Sequence, residues 1–599
     1  MLNTTGVLSF TFSRLNSSRI TPETGAALGP RLGRLSLQRL VGQSLPSPQS
    51  HESDIHNTSE IEIPTPNLWA YTSRGVVPHL TKDNVARSSS IKGLHIPLES
   101  YLETNPPIPT LFPGPLPLHS FHGYDPSQMI VSLGLRDPND AQVLRANGQN
   151  YVIAQCVRGS KQVVPKDFHQ WATKLQPDVL FALPDIPSTS APFSQKRMTK
   201  SNERTLRWLT DLTISRQSEN LGSKTSPTTS GPSEAPTPAV FVHLVGGAVE
   251  AARDAFSESL LEPLIGHDAD LLPHLGSIDD AVDGYVLDLV PVRLASAPIS
   301  NPASHARAPT PPDALIPLMQ SSLRYLPERK PSLVTGVSTP HEVLRLVSSV
   351  GVDIFDSFWA QRAADHGIAL DFRFPLKSPV SGETSEVMEP NAGVINLYDE
   401  KYAMDFRRLS ECFETPSEVH QKQNNADESR LVCDCLACSP DLVSAPLTHG
   451  SLDRTANPPA SPSPVPPTPH FTRAYIHHLL HTHEMSAHSF LAAHNFAVLS
   501  AFFGGIREVL AKQALDNPGV EGTTLLEIEI ERFERAYDER LLWGSESSGV
   551  SDGTTVVGIL EEGERRWKEV EDLRGKGRLK REKEAAAAAA FASTEAEES

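Results

Sequence analysis

The residues best placed to do chemistry are three cysteines in the run CDCLAC, where Cys433, Cys435 and Cys438 stand at C-x-C-x2-C spacing. Thiolates this close in sequence can converge on one tetrahedral cation, with Zn–S bonds of about 2.3 Å. The chain has 5 cysteines in all. That is too few and too uneven for a secreted disulfide framework, and three within six positions are hard to explain as packing. Cys156 and Cys412 stand alone and read as inert thiols. A closed site needs a fourth ligand. The downstream segment FTRAYIHHLLHTHEMSAHSFLAAHNFAVL offers His477, His478, His481, His483, His488 and His494. Three thiolates and one imidazole fill all four positions, so such an ion is structural and activates no water.

The elements that must carry this site alternate between strand and helix. Short apolar runs read as buried parallel strands: YVIAQCV (151–157), DVLFALPD (178–185), VFVHLVGG (240–247), GYVLDLV (284–290), PSLVTGV (331–337) and GVDIFDS (351–357). Amphipathic segments follow most of them. Before HEVLRLVSSVG, Thr339 and Pro340 suit an N-cap and a first helical position. Alternating units imply a parallel sheet with right-handed crossovers. Six units and an N-terminal region of mixed strands fit an α/β fold of the (β/α)8, TIM-type barrel kind; a doubly wound open sheet is the runner-up. No GxGxxG follows a strand to indicate a dinucleotide. In a barrel the functional end is the C-terminal one, where Asp185, Gly246, Gly247, Asp288, Ser338 and Asp356 fall.

Composition points to a folded core diluted by inserts. Proline, at 51 of 599 residues, is well above the usual ~5 %. Pro-, Ser- and Thr-rich stretches at 42–60, 216–238, 294–312, 378–390, 416–430 and 440–468 cannot bury enough apolar surface to offset chain entropy, and read as disordered inserts. The tail from about residue 575 is of the same kind, with a basic run GKGRLKREKE. A formal net charge of −19 excludes a chain that binds nucleic acid by bulk charge, so RNA contact needs a local patch or a partner. Arg473, Arg507 and Lys512 are candidates for phosphate contact. The N-terminus has a weak transit-peptide look, but Val7, Phe10 and Phe12 favour a first strand. No apolar run suggests a bilayer-spanning segment. A cytoplasmic, reducing location is the default.

C-x-C-x2-C followed by TRAYIHHL and then the pair His494 and Asn495 resembles the zinc subdomain of tRNA-guanine transglycosylases. GPRLGRLSL (29–37), LWAYTSRGVVPHLTKDNV (68–85) and 327–357 extend the likeness through the barrel. The resemblance implies that His494 is the fourth zinc ligand, with one structural Zn2+ held by Cys433, Cys435, Cys438 and His494. It implies a barrel over 1–410, a zinc subdomain with its helix over 411–515, and a helical extension with a low-complexity tail over 516–599. Members of the family exchange guanine at the tRNA wobble position for a modified base. An aspartate nucleophile attacks the ribose and a second aspartate handles protons. Asp356 matches the nucleophile and Arg362 the motif's arginine, but 357–361 read SFWAQ where the family has Cys-Val-Met-Pro-Thr. The Asp-Ser-Gly-Gly segment and the Gly-Gly-Leu-Ala-Val-Gly base-recognising segment are absent. One of two carboxylates and no base pocket imply no turnover. The pattern resembles the family's accessory branch: a non-catalytic chain that forms a heterodimer with a catalytic queuine tRNA-ribosyltransferase subunit and helps hold tRNA. That implies a cytoplasmic protein, with a peripheral position at the mitochondrial outer membrane left open. The alternatives are a self-sufficient transglycosylase using Asp356 and a zinc-stabilised interaction scaffold.

Overall fold

The computed structural model describes residues 6–14, 28–40, 58–140, 145–187, 193–224, 237–296, 309–376, 390–410, 433, 435–439, 470–516 and 523–545, with single positions 556, 557, 559 and 565. The expected inserts fall largely outside these residues. Their edges do not: Thr58–Thr65 is a strand, so 58–60 belong to a sheet, and the helix Gln195–Lys224 runs through 216–224.

Three strands, β1 (Gly6–Arg14), β2 (Arg31–Leu40) and β3 (Thr58–Thr65), form an antiparallel sheet. The N-terminal segment is thus a strand, as Val7, Phe10 and Phe12 indicate. Next come β4 (Asn67–Tyr71), β5 (Gly93–Pro97), β6 (Ile130–Gly134), β7 (Val152–Cys156), β8 (Gly159–Val163), β9 (Val179–Phe181), β10 (Ala239–His243), β11 (Gly284–Asp288), β12 (Ser332–Thr335) and β13 (Ile354–Asp356). Eight of them close a parallel barrel in the order β10-β11-β12-β13-β4-β5-β6-β9. The (β/α)8 expectation holds and the open sheet does not.

One strand assignment is corrected. The run 151–157 is not a barrel stave. Its strand β7 pairs antiparallel with β8, Val152 opposite Val163 and Cys156 opposite Gly159. Only Val157 and Arg158 separate the two strands, too short a link for a parallel crossover, which needs a dozen residues or more. The missing staves come from the N-terminal region. There β4, β5 and β6 are five residues each, and short 3-10 turns follow β5.

The barrel interior packs Trp69, Ile130, Val179, Phe181, Phe241, Val286, Leu333 and Ile354 against Leu35, Leu37, Ile61 and Ile63 of the β1–β3 sheet. The sheet closes the N-terminal end, where Arg31 donates to Asp353 and to the Glu328 carbonyl at 2.6 Å. Thr339 caps the helix Pro340–Ser349 by accepting from Glu342 N at 3.1 Å, with Pro340 at its first turn.

Two compact units emerge. The first comprises 1–361, 373–385 and 496–534 and contains the barrel; the second comprises 362–372, 386–495 and 535–599. The second has a hairpin, β14 (Ile368–Leu370) with β15 (Val394–Asn396), and the helix Arg473–His481. The helix Met485–Asp516 supplies residues to both. By length and composition its span Met485–Leu515 could cross a membrane. Leu491, Phe496, Phe502, Phe503, Ile506 and Leu510 along it are fully buried in protein, the pattern of a core helix.

Candidate metal centre and barrel recess

In the second unit, Cys433, Cys435 and Cys438 meet His494 in one buried cluster. The His494 Nδ1 lies 3.6 Å from the Cys433 Sγ, 3.6 Å from Cys435 and 3.5 Å from Cys438. Zn–S bonds of about 2.3 Å and a Zn–N bond of about 2.0–2.1 Å at the tetrahedral angle put sulfur and nitrogen roughly 3.6 Å apart. The four donors therefore already stand at the edges of a coordination tetrahedron, and the set fits a metal ion.

Local structure explains why these atoms converge. The 435–439 stretch is a tight turn in which Cys438 N donates to Cys435 Sγ at 3.2 Å and Ser439 N to Cys435 O at 2.9 Å. Phe471 N donates to Ala437 O at 2.9 Å, fastening the chain that enters the helix Arg473–His481 to this knuckle. His494 Nε2 donates to Leu370 O at 2.9 Å. That bond fixes the tautomer and leaves the Nδ1 lone pair facing the sulfurs, as a ligating imidazole requires. Asn495 locks the same hairpin, accepting from Leu370 N at 2.9 Å and donating to Ile368 O at 3.1 Å.

Electrostatics favour a cation. The neighbouring thiols raise Cys433, and burial raises Cys435. Hydrogen bonds from both push Cys438 well below its ordinary value. Burial would depress His494, but the Cys438 thiolate drives it well upward. Protons thus stand in for positive charge, and a metal ion that displaces them relieves the crowding of three sulfurs.

The other histidines stay outside. His477 Nδ1 bonds Leu397 O, His481 bonds His477 O and His488 bonds Ala364 O, each at 2.9 Å. Arg473 is not a surface cation. It is buried, with Nε on Arg408 O at 2.7 Å, Nη2 on Leu409 O at 3.3 Å and Nη1 beside Asp405 at 3.3 Å. Arg408 in turn donates to Cys438 O. This inward clamp beside the knuckle was invisible in sequence, since an arginine at a helix start reads equally well as exposed. Arg507 donates to Pro66 O at 2.6 Å, and burial lowers it to about 10. Lys512 is exposed and paired with Glu508 at 2.7 Å.

In the barrel, the strand ends also hold their aspartates in internal bonds. Asp185 takes Arg197 at 2.8 Å, Arg204 at 3.1 Å and Asn147 at 2.8 Å. Asp288 takes His243 at 2.7 Å and Thr335 at 2.8 Å. Asp356 accepts from Gly336 N at 2.9 Å and Val337 N at 3.2 Å, one amide on each oxygen. Burial raises it to about 7. Its recess is about 260 Å³, bounded by Trp69, Tyr71, His95, Asn139 and Thr335, and no second carboxylate lines it among the described residues. A wider cavity of about 710 Å³ opens beside it, with His95, Arg136, Asp137, His243 and Asp288 in its wall.

The comparisons with known proteins agree with these features. The family described as Queuine tRNA-ribosyltransferase matches residues 52–439 and 447–518. The chain belongs to the queuine tRNA-ribosyltransferase family. Among its relatives, the zebrafish (Danio rerio) protein named queuine tRNA-ribosyltransferase accessory subunit 2 is 24 % identical over 482 residues, covering 76 % of this chain and 91 % of the relative. The Homo sapiens protein of the same name is 25 % identical over 471 residues, covering 77 % and 93 %. The chicken (Gallus gallus) protein of that name is 25 % identical over 464 residues, covering 75 % and 88 %. As a family member this chain combines the closed parallel barrel with a Cys3His group able to hold a metal ion. The barrel recess with Asp356 and the Cys3His cluster belong to different compact units.

Proposed function

We propose that this chain is the accessory, non-catalytic subunit of a queuine tRNA-ribosyltransferase. It supports exchange of guanine for queuine at wobble position 34 of tRNAs with GUN anticodons, as a heterodimer with the catalytic subunit in the cytoplasm. The observation that carries this reading is the state of Asp356. A nucleophilic carboxylate must be ionised and free to meet an anomeric carbon. Asp356 is 7 % exposed, has a backbone amide on each oxygen and is raised to about 7 by burial. Among the described residues no second carboxylate lines its recess, so no partner acid stands there to handle protons. A self-sufficient transglycosylase built on Asp356 is disfavoured for the same reasons.

The Cys3His cluster is assigned to one structural zinc ion per chain. Four protein ligands leave no open position, so the ion supplies folding energy to its subdomain and nothing to the reaction. The contact face for the catalytic subunit is assigned to the same unit. Ala474 N donates to Asp405 O at 2.8 Å, which sets the 404–407 loop against the helix Arg473–His481. There Met404 is 77 % exposed, Phe406 66 % and Tyr475 43 %, an apolar grouping of the kind that marks protein contacts.

The test is guanine exchange into a GUN-anticodon tRNA by the chain alone, by the catalytic subunit alone and by both together. The chain alone is inactive and the pair exceeds the catalytic subunit; robust exchange by this chain alone overturns the assignment.

A further inference from the structure

The cations that sequence offers for phosphate contact are spent elsewhere. Arg473 and Arg507 bond inward to carbonyls, and Lys512 pairs with Glu508. Another group lies in the barrel wall. The helix Gln195–Lys224, which follows β9, carries Lys196, Arg197, Lys200, Arg204 and Arg207 against the single acid Glu203 between 196 and 207. In a chain of net charge −19 this is a local reversal of sign. The first turn holds no acid, although acids are what the positive end of a helix dipole favours. Helix stability therefore does not explain the row.

Packing sorts these cations into two sets. Met198, Ser201, Thr205, Trp208, Leu209 and Leu212 turn inward and are buried. Asn202 donates to Ala252 O at 2.8 Å, which fastens one flank to the helix Glu250–Leu261. On the other flank Arg197 and Arg204 grip the buried Asp185 at 2.8 and 3.1 Å. Arg204 also donates to Asn147 O at 3.2 Å and Arg207 to Gln149 O at 2.7 Å, so the 147–150 loop lies along this flank. The outward face is left to Lys196, Thr199, Lys200, Glu203 and Arg207, all exposed. Among the described residues no carboxylate pairs with Lys196, Lys200 or Arg207, nor with Arg145, exposed two residues before Asn147. Asp211, one turn beyond Arg207, ends the row.

The chemistry of this face selects its partner. Its cations are flanked by the exposed amides of Gln149 and Asn150. Between 193 and 218 no large apolar side chain stands exposed among the described residues. A protein interface needs an apolar or aromatic core, and a helix lying on a membrane needs an apolar face. Cations and amides without an apolar anchor suit a nucleic-acid backbone, where phosphate contacts position the molecule and carry no sequence information. From Lys196 to Arg207 the helix rises roughly 16 Å, enough to follow several phosphates of a duplex strand.

We propose that Lys196, Lys200 and Arg207, with Arg145 beside them, hold the phosphate backbone of a tRNA stem without reading its bases. The inference deepens the accessory reading above and takes the identity of the RNA from it.

The test is fluorescence anisotropy of the full-length chain, without the catalytic subunit, over a salt series. The probes are a labelled GUN-anticodon tRNA and an RNA hairpin lacking that anticodon. Lys196→Ala combined with Lys200→Ala should weaken binding of both RNAs alike, by roughly tenfold, and lower the slope of log affinity against log salt by roughly two. Both side chains are exposed, so the melting temperature should hold. Arg329→Ala combined with Lys512→Ala removes the same charge from exposed positions elsewhere and should change neither quantity. No RNA binding by the wild-type chain, an unaltered slope in the Lys196 and Lys200 double variant, an equal loss in the control, or loss on one RNA alone overturns the face. Loss of pairing with the catalytic subunit while RNA binding stays intact assigns the face to a protein and overturns it too. Failure of the accessory reading shows separately, as an exchange rate that the wild-type chain does not raise when it joins the catalytic subunit.

Discussion

Asp356→Asn separates a structural carboxyl from a catalytic one through pH. The folded protein raises this group from 3.8 to about 7 by burial. A carboxyl raised on folding contributes stability that is fully present below its unfolded value and is lost as pH climbs through the folded one. A shift of about three units at 1.36 kcal/mol each amounts to roughly 4 kcal/mol over the whole range. Roughly 3 kcal/mol of that loss falls between pH 5 and 8.5, since part of it precedes pH 5. Asparagine cannot ionise. It also resembles the protonated acid, with one acceptor for Gly336 N or Val337 N. The stability of the variant relative to wild type should therefore rise by roughly 3 kcal/mol from pH 5 to pH 8.5, and other titrating groups cancel in the comparison. Urea midpoints at the two pH values measure it, and Trp69 in the same recess offers a fluorescence probe. In the reconstituted pair, exchange should be unchanged. Parallel pH profiles for the two proteins would refute the buried-carboxyl reasoning, and loss of exchange in the pair would refute the non-catalytic reading.

Other outcomes follow from the same structure. His494→Ala removes one of four ligands from a site whose full set supplies about 10–16 kcal/mol in zinc peptides; metal retained after dialysis against a chelator should fall from about one ion per chain to near zero. Arg293→Met strands Glu342, which it holds at 2.6 and 2.7 Å in the barrel wall, and should cost about 3–5 kcal/mol in a urea titration. Lys512→Ala breaks an exposed pair with Glu508 and should shift stability by less than about 1 kcal/mol. Phe406→Asp should weaken association with the catalytic subunit by at least tenfold in sedimentation while leaving metal content unchanged, about 1.4 kcal/mol or more.

The metal cluster was legible because its signal is chemical. Few residues besides a metal explain Cys433, Cys435 and Cys438 so close together, and the resemblance then singled out His494 among six histidines. The staves β9 to β13 were legible as apolar runs bounded by turn residues. The run at 151–157 has the same composition, and only its two-residue link to β8 betrays a hairpin. The staves β4 to β6 were hidden because the strand-then-helix rhythm breaks there: 3-10 turns follow β5 and the β7–β8 hairpin follows β6. Arg473 shows the other limit. Sequence marks it as a cation, while burial turns it into a clamp beside the knuckle.

Native mass spectrometry of the purified chain, alone and with the catalytic subunit, tests the central claim most directly. One zinc ion on the lone chain and a one-to-one complex in the mixture are expected. A metal-free chain, or one that ignores the catalytic subunit, contradicts it.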